Sequence, residues 1–458
     1  MRGLVRISAI TALLVPVMGA SLALAHYEAT HLAASDANAD DRFGISAAID
    51  GDIAVVGAYQ NDANALDCGA AYIYEFSGSQ WVERQKLAAS DASSGDRFGR
   101  SVAIDGDTIV VGSYYGDNTE PNTGVAYVFT RTGNLWAQQQ KLFASDGVSN
   151  DRFGISVSVK ADCIVAGAYG DDEYTGAAYV FVRTGSVWSE QQKLTASDRA
   201  QGDHFGYAAA MDADTILVGA YKDYAGSVYV FDRQETMWVE GDILRASDGN
   251  QYDYFGCSVA LDGNLAVIGA YECDINGIPD AGAAYVFAKT GSGWVEQQKL
   301  VDTIDPNNSE NFGRSVAIEG SDLFVGCIND SIGGEKTGSV FEFVRTGDAW
   351  VQHDRLTAAG GGRDDGFGCS VSAYGQYLIT GAQYADDNGV SSGLAYIFAA
   401  LSGDIDGDRD VDFDDYAILT ASWLQDNPFV DIAPPPAGDG IVDFEDLAVL
   451  CDNWLAGK

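Results

Sequence analysis

Near the C-terminus, seven aspartates follow one another at a spacing that suits the binding of a hard metal ion. They lie between Asp404 and Asp415. A twelve-residue calcium loop places oxygen ligands at positions 1, 3, 5, 7, 9 and 12, with a backbone carbonyl at position 7, because Ca²⁺ takes about six to eight oxygens. With Asp404 at position 1, aspartate occupies every one of these positions. The sequence therefore predicts a Ca²⁺ site with the ligands Asp404, Asp406, Asp408, Asp410, Asp412 and Asp415.

The elements that would position this loop are predicted from an apolar pattern that occurs twice. Apolar residues at offsets 0, 3, 6 and 10 share one face of a helix. This set follows the first loop and recurs 31 residues later, and its members are Phe413, Tyr416, Leu419 and Trp423, then Phe444, Leu447, Leu450 and Trp454. The pattern predicts two short helices, each preceded by a loop.

The second loop keeps only part of the ligand set. Asp439, Asp443 and Asp446 occupy its positions 5, 9 and 12, and we predict them as metal ligands. Its positions 1 and 3 are Pro435 and Ala437, which offer no side-chain oxygen. We therefore expect the first loop to bind Ca²⁺ more readily than the second. The alternative is that the whole tail is a solvated acidic segment.

The duplicated loop and helix over residues 403–455 resemble a type I dockerin domain, a small calcium-folded module. The resemblance implies that residues 401–458 dock to a cohesin-like or cell-surface protein. Three features depart from that family, and the first is the absence of ligands at Pro435 and Ala437 in the second loop. Arg409 stands where glycine usually accepts a left-handed backbone, and the pairs Phe413-Asp414 and Phe444-Glu445 replace the usual Ser-Thr pair at the positions that help to select the cohesin.

Residues 1–25 have the pattern of a signal peptide. Arg2 and Arg6 precede an apolar run that ends in the small-x-small sequence Ala23-Leu24-Ala25. No later stretch is long and apolar enough to span a bilayer, and the net charge of −41 argues against nucleic acid as a partner. We expect a bacterial protein that is secreted, either extracellular or held at the cell surface.

Most of the remaining chain is a sevenfold repeat. The dipeptide Phe-Gly recurs every 50 to 57 residues, beginning at Phe43, Phe98, Phe153, Phe205, Phe255, Phe312 and Phe367. Each complete copy contains an alternating strand, a tight turn that is often Asp-Gly, a continuous apolar strand and two further strands. Four antiparallel strands in each of seven units predict a mainly β fold, a seven-bladed β-propeller over residues 26–400. The small α-helical calcium module would follow it.

The seventh copy lacks a fourth strand, and the N-terminus contains one that matches it. Trp81, Trp136, Trp188, Trp238, Trp294 and Trp350 mark the fourth strand in the first six copies. Leu32 and Leu87 each lie eleven residues before a Phe-Gly pair. The shared register predicts that Tyr27–Ala34 forms the outer strand of the last blade and closes the ring.

These units resemble the FG-GAP repeats of bacterial secreted proteins, which are distantly related to the integrin α-subunit propeller. Integrin copies that bind calcium carry an acidic loop between the first two strands. In this chain a tight turn takes its place, so those calcium sites do not carry over. The acidic loops between the second and third strands, at Asp117-Asn118, Asp171-Asp172 and Asp386-Asp387-Asn388, either bind cations or are solvated turns.

The repeats show no pattern of catalytic residues. The four histidines include no pair at a metal-ligand spacing, and His204, which replaces the arginine of Asp-Arg-Phe-Gly, is expected at a surface turn. The seven scattered cysteines do not indicate a disulfide framework. We expect a non-enzymatic binding or adhesion protein that recognises a protein or a polysaccharide. The alternatives are an accessory or catalytic component of a polysaccharide-degrading complex, and a purely structural surface protein.

Overall fold

The computed structural model describes residues 26–303 and 310–400, which form seven four-stranded antiparallel sheets. The innermost strand of each sheet contacts the innermost strands of both neighbouring sheets, and these contacts close into a ring of seven. The described residues are therefore a seven-bladed β-propeller, as the repeat predicts. The predicted signal peptide and the predicted calcium module, including all nine predicted ligands, lie outside the described residues.

The first four blades follow one another along the chain, each running from its innermost to its outermost strand. Their strands, after β1 (His26–Leu32), are β2 (Phe43–Asp50), β3 (Ile53–Ala58), β4 (Ala70–Phe76) and β5 (Trp81–Leu87); β6 (Phe98–Asp105), β7 (Thr108–Ser113), β8 (Val125–Thr132) and β9 (Leu135–Leu142); β10 (Val157–Lys160), β11 (Cys163–Ala168), β12 (Ala177–Thr184) and β13 (Val187–Leu194); and β14 (Phe205–Asp212), β15 (Thr215–Ala220), β16 (Ser227–Gln234) and β17 (Met237–Leu244). A single helical turn, α1 (Asp171–Tyr174), lies between β11 and β12.

Blades 5 to 7 repeat the arrangement, with a small two-stranded insertion in blade 6. Their strands are β18 (Ser258–Asp262), β19 (Leu265–Ala270), β20 (Ala283–Thr290) and β21 (Gly293–Leu300); β22 (Phe312–Glu319), β23 (Asp322–Cys327), β24 (Ser331–Ile332), β25 (Glu335–Lys336), β26 (Ser339–Thr346) and β27 (Ala349–Leu356); and β28 (Phe367–Tyr374), β29 (Tyr377–Ala382) and β30 (Leu394–Ala400).

The N-terminal strand closes the ring. β1 pairs antiparallel with β30, from His26 opposite Ala400 to Leu32 opposite Ala395, and becomes the outermost strand of blade 7. This is the pairing that the shared register predicts. A closed ring leaves no blade without a neighbour on either side, so no sheet face between blades is left open to water.

The Phe-Gly pair explains why the blades pack at this spacing. Phe43 is fully buried and its ring meets the Tyr72 ring edge-on at 5.5 Å. Gly44 has a φ of +90°, and a Cβ atom there would lie 2.2 Å from the Leu394 carbonyl oxygen of blade 7. Only glycine combines this backbone conformation with so close an approach between blades.

A glutamine and a tryptophan join the outer strands of neighbouring blades. The Gln85 side-chain amide donates to the Trp136 carbonyl at 2.7 Å, and the Trp136 backbone N–H donates to Gln85 Oε1 at 3.0 Å. The same pair of bonds recurs in Gln140–Trp188, Gln192–Trp238 and Gln298–Trp350. These bonds satisfy edge-strand backbone groups that would otherwise face water.

Within the described ranges, no helix is long and apolar enough to cross a membrane. The six cysteines there are all free thiols, which agrees with the expectation that the cysteines do not form a disulfide framework.

Candidate functional site

The propeller has two unlike faces. Strand directions place the long connections between the second and third strands, and the connections from one blade to the next, at one end, which we call the loop face. The tight turns between the first and second strands and between the third and fourth strands lie at the other end, the turn face. Because long connections vary most between blades, a ligand site is expected on the loop face.

Acidic residues of the loop face serve mainly to order the connections between blades. Asp36 accepts hydrogen bonds from the Tyr72 hydroxyl and from Lys86 Nζ, both at 2.6 Å. Burial would raise the pKa of Asp36, but the bonds from Lys86 and Tyr72 outweigh it and hold the pKa below its usual value. The same trio recurs as Asp91–Tyr127–Lys141, Asp146–Tyr179–Lys193, Asp198–Tyr229–Arg245 and Asp248–Tyr285–Lys299. A feature repeated in five blades is architectural.

The candidate cation loops between the second and third strands have local partners of their own. Asp171 is buried and accepts from Lys193 Nζ at 2.7 Å, so an ammonium group already occupies the place of a cation. Asp117 and Asp386 accept from the backbone N–H groups of Asn122 and Ser391, five residues further along the chain. In residues 26–303 and 310–400, no group of three or more acidic, histidine or cysteine side chains is arranged to hold a metal ion.

One position on the loop face differs systematically between blades, and it is the residue just before Phe-Gly. In blades 1 to 3 this residue is arginine, and its guanidinium lies over a tyrosine ring of the preceding blade. The distances from guanidinium carbon to ring centroid are 4.5, 5.2 and 4.0 Å for Arg42–Tyr384, Arg97–Tyr59 and Arg152–Tyr115. Such cation–π contacts each contribute about 0.5–2 kcal/mol and join adjacent blades.

Blades 4 and 5 have His204 and Tyr254 at this position, and aromatic contacts replace the cation–π contacts. The His204 ring lies 5.1 Å from the ring of Tyr169, 5.5 Å from that of Tyr174 and 5.4 Å from that of Tyr221. The Tyr207 and Tyr221 ring centroids are 4.3 Å apart. Side chains from blades 3 and 4 therefore form one aromatic cluster.

The cluster continues into blade 5. The Tyr254 ring lies 5.4 Å from the rings of Tyr221 and Tyr271, and 6.4 Å from the ring of Tyr252. We call the whole set the tyrosine platform, and its members are Tyr169, Tyr174, His204, Tyr207, Tyr221, Tyr252, Tyr254 and Tyr271. It is a continuous aromatic surface that crosses three of the seven blades.

His204 is not the surface-turn residue that the sequence suggests. It lies among three tyrosine rings, and its Nδ1 atom is buried with no hydrogen-bond partner. Burial, with a smaller contribution from Lys222, lowers the pKa of His204 to about 4. The imidazole is therefore neutral at pH 7 and behaves as one more aromatic ring of the tyrosine platform.

Part of the tyrosine platform is open to solvent. The exposed fractions of Tyr174 and Tyr252 are 41% and 61%. Tyr224, with an exposed fraction of 66%, lies beside the platform, and its carbonyl accepts a hydrogen bond from the Tyr252 backbone N–H. Exposed aromatic rings held by rigid neighbours are typical of surfaces that bind a partner.

The tyrosine platform leads into the central channel. A cavity of about 210 Å³ near the loop-face end of the channel is lined by all seven innermost strands, and by the residues just before β10 and β18. The residue two places after each phenylalanine reaches it, and these residues are Ile45, Arg100, Ile155, Tyr207, Cys257, Arg314 and Cys369. Tyr207 belongs to both features, so the platform and the cavity form one continuous surface.

Serines at six of the seven blade junctions help to fix the shape of this part of the channel, and Ala208 takes the equivalent position in blade 4. The Ser46 hydroxyl donates to the Gly99 carbonyl of the next blade at 2.9 Å. Equivalent bonds join Ser101 to Gly154, Ser156 to Gly206, Ser258 to Gly313, Ser315 to Gly368 and Ser370 to Gly44. Because each bond crosses between blades, the cavity wall is held at six of the seven junctions.

The two cysteines of the cavity are not activated nucleophiles. Burial raises the pKa values of both Cys257 and Cys369 above the ordinary thiol value. Both thiols are therefore protonated at pH 7, and a protonated thiol is a weak nucleophile. The geometry of the loop face favours recognition of a ligand by aromatic and cationic groups.

Comparison with protein families supports the repeat and the boundaries of its seven copies. A family model described as "FG-GAP repeat" matches seven segments: residues 27–74, 81–129, 136–181, 188–231, 238–287, 294–343 and 350–398. Each match begins within the outer strand of one blade and ends in the third strand of the next, which agrees with the closure through β1. A comparison with curated proteins finds no match.

Proposed function

Because this chain belongs to the FG-GAP repeat family, whose propeller is a fold of the binding and adhesion type, we propose that it is a secreted, non-enzymatic protein that binds an extracellular protein or polysaccharide through its tyrosine platform. The observation that carries the proposal is the cluster of aromatic residues confined to blades 3 to 5. At the position that is His204 and Tyr254 in blades 4 and 5, blades 1 to 3 have arginine, and its cation–π contacts join adjacent blades without an aromatic residue there.

The physical argument is that the repeat does not require Tyr174, Tyr252 and Tyr254, whereas Tyr169, Tyr221 and Tyr271 occupy a strand-end position that is tyrosine in five blades. Tyrosine offers a large, rigid surface at low cost in side-chain entropy, and its hydroxyl still forms hydrogen bonds to a polar ligand. Tyr174 and Tyr252 leave 41% and 61% of their surface in water, where a ligand is able to cover them. A folding role alone would favour burying these rings.

The second part of the proposal concerns the tail. Residues 401–458 would act as a dockerin-like, calcium-dependent module that attaches the propeller to a cohesin-like or cell-surface partner. β30 runs from the loop face toward the turn face, so Ala400, the residue before the module, lies at the end opposite the tyrosine platform. Attachment from that end would leave the loop face free for its ligand.

The platform is tested by ligand binding with the full chain. We expect Tyr174→Ala and Tyr252→Ala to reduce binding to immobilised polysaccharides, or to proteins of the source's extracellular fraction, by about tenfold or more. Tyr374→Ala is the matched control, since this tyrosine is 45% exposed but ends β28 at the turn face. Equal loss in all three variants, or in none, would refute the platform. Hydrolysis of a glycan by the purified protein would refute the non-enzymatic assignment.

The tail is tested separately by calcium titration. We expect a heat of binding with Ca²⁺ that Asp404→Asn and Asp408→Asn abolish, and capture of a cohesin-like protein that a chelator reverses. Asp439→Asn should have a smaller effect, because the second loop lacks ligands at positions 1 and 3. No heat at millimolar Ca²⁺ would contradict the metal site and restore the acidic-tail interpretation.

A further inference from the structure

Two arginines stand in the central channel, next to the tyrosine platform. Arg100 on β6 and Arg314 on β22 line the same cavity. The other five residues at this level are Ile45, Ile155, Tyr207, Cys257 and Cys369. The cavity is therefore a locally cationic point in a chain whose net charge is −41.

Neither arginine is neutralised by the described part of the chain. Arg131 and Arg183 on the outer side of the blades reach Glu75 at 2.8 Å and Asp162 at 2.7 Å. In residues 26–303 and 310–400, Arg100 and Arg314 form no such ion pair. The contact observed for Arg314 is with the Tyr271 ring, whose centroid lies 5.6 Å from the guanidinium carbon.

The neighbouring groups do not supply a negative charge. Burial raises the pKa values of Cys257, Cys369 and Tyr271, so all three are uncharged at pH 7. Burial by itself would lower the pKa of Arg314, but neighbouring tyrosine and thiol groups, which carry a negative charge only at the high pH where arginine titrates, outweigh it and the pKa is raised. The guanidinium therefore keeps its charge and its unused donors inside the cavity.

Two charged guanidiniums beside uncharged walls are suited to a carboxylate. Arginine binds carboxylates through two parallel hydrogen bonds, and these bonds strengthen where water is partly excluded. The volume of about 210 Å³ is below the roughly 300–1,000 Å³ of sites that enclose a whole drug-sized ligand. The cavity is thus of a size for one end group, with the rest of the ligand lying outside it.

Resting on the proposed function, we propose that the cavity binds the carboxylate of a single acidic sugar at the end of a glycan, whose following sugar rings lie on the tyrosine platform. Tyr207 links the two parts, since it lines the cavity and its ring centroid lies 4.3 Å from that of Tyr221. The apolar faces of sugar rings stack on exposed tyrosine rings, and their hydroxyl groups bond to tyrosine hydroxyls.

The charge of the whole chain decides between one acidic sugar and many. A polyanionic glycan would be repelled along its length by a chain whose total net charge is −41. Charges farther than about 8 Å apart are largely screened at physiological ionic strength, so a single carboxylate between two arginines is governed by the local attraction. The site therefore favours a neutral chain with one terminal uronic acid.

The test is calorimetric titration of the full chain with matched probes. Cellobiose is the neutral probe, a disaccharide of glucuronate linked to glucose is the acidic probe, and glutamyl-glycine represents an acidic peptide. We expect the acidic disaccharide to bind at least tenfold more tightly than cellobiose. Arg314→Gln and Arg100→Gln should reduce that preference toward one without weakening cellobiose, while Tyr252→Ala should weaken both sugars.

Two further variants keep the result interpretable. Arg314→Lys retains the charge but loses the two-pronged geometry, and should keep part of the preference. Arg84→Gln, on the outer strand β5, is the control and should change nothing. Equal binding of both disaccharides, with Tyr252→Ala still harmful, would overturn this inference and leave the proposed function standing. Tightest binding of the dipeptide would overturn the glycan, and no binding by any probe would overturn the site.

Discussion

Replacing His26 by tryptophan tests how the closing junction of the ring differs from the other six. His26 lies opposite Ala400 in β30, as Trp81 lies opposite Phe76 in blade 1, so it occupies the tryptophan position of blade 7. The tryptophans pack on apolar residues of the preceding blade, as Trp136 does on Ile73. In blade 6 the residue equivalent to Ile73 is Glu342.

At this junction histidine replaces the tryptophan and glutamate replaces the apolar residue, and the two side chains form a buried polar pair. His26 Nδ1 lies 3.0 Å from Glu342 Oε1, and the side chains are 4% and 0% exposed. The second oxygen, Oε2, is buried and has no hydrogen-bond partner. The His26 ring also meets the Phe324 ring edge-on, with centroids 5.2 Å apart. Among the described residues, His26 supplies the side-chain hydrogen bond to Glu342.

We expect His26→Trp alone to lower the free energy of unfolding by about 3–5 kcal/mol, because it leaves a buried carboxylate without its partner. Glu342→Ile alone leaves the His26 imidazole without its hydrogen-bond partner and should cost about 1–3 kcal/mol. The double variant restores the pairing of the other junctions and should be neutral or more stable than the wild type by about 1–4 kcal/mol. Denaturant unfolding, followed by tryptophan fluorescence and circular dichroism, measures all three.

The reverse exchange at an ordinary junction is the matched control. Ile73→Glu should be strongly destabilising, and Trp136→His added to it should recover part of the loss. The reasoning would be refuted if His26→Trp were as stable as the wild type, or if the effects of the two single variants simply added in the double variant.

Three further outcomes are expected from the described residues. Burial, with Glu342 nearby, raises the pKa of Asp322 to about 6. Ionisation of this carboxyl therefore lowers the stability of the fold as the pH rises from about 4 to 6. Asp322→Asn should raise the melting temperature at pH 8 but not at pH 4. The pKa of His204 is lowered to about 4, so stability should fall as pH drops from about 6.5 to 4, and His204→Phe should flatten that part of the melting profile. Deleting residues 26–35 removes β1 and should lower the melting temperature by many degrees, and an unchanged value would contradict closure by this strand.

Much of the fold could be predicted because the repeat copies local information seven times. The alternating strand, the tight turn and the continuous apolar strand are each set by side chains within a few residues, and their recurrence gives the number of blades. The register of Leu32 with Leu87 was sufficient to place β1 in blade 7. The calcium ligands from Asp404 to Asp446 stay a prediction from spacing alone.

The candidate site was largely missed, although a signal was present. The residue before Phe-Gly changes from arginine in Arg152 to His204 and Tyr254, and this change marks the blades that carry the tyrosine platform. Position by position, a tyrosine at a strand end reads as ordinary packing. The error on His204 has the same origin, since its environment is made by tyrosines from several separate segments.

By itself, the sequence determined the architecture of this protein: seven copies of a four-stranded unit, closed by the N-terminal strand. The tertiary structure decided which side chains meet. Arg100 and Arg314 are far apart in the chain yet line one cavity, and His26 reaches Glu342 across 316 positions. The physical reason is that a strand's own residues set its pattern, whereas contacts across a closed ring depend on the register, twist and packing of every blade between them.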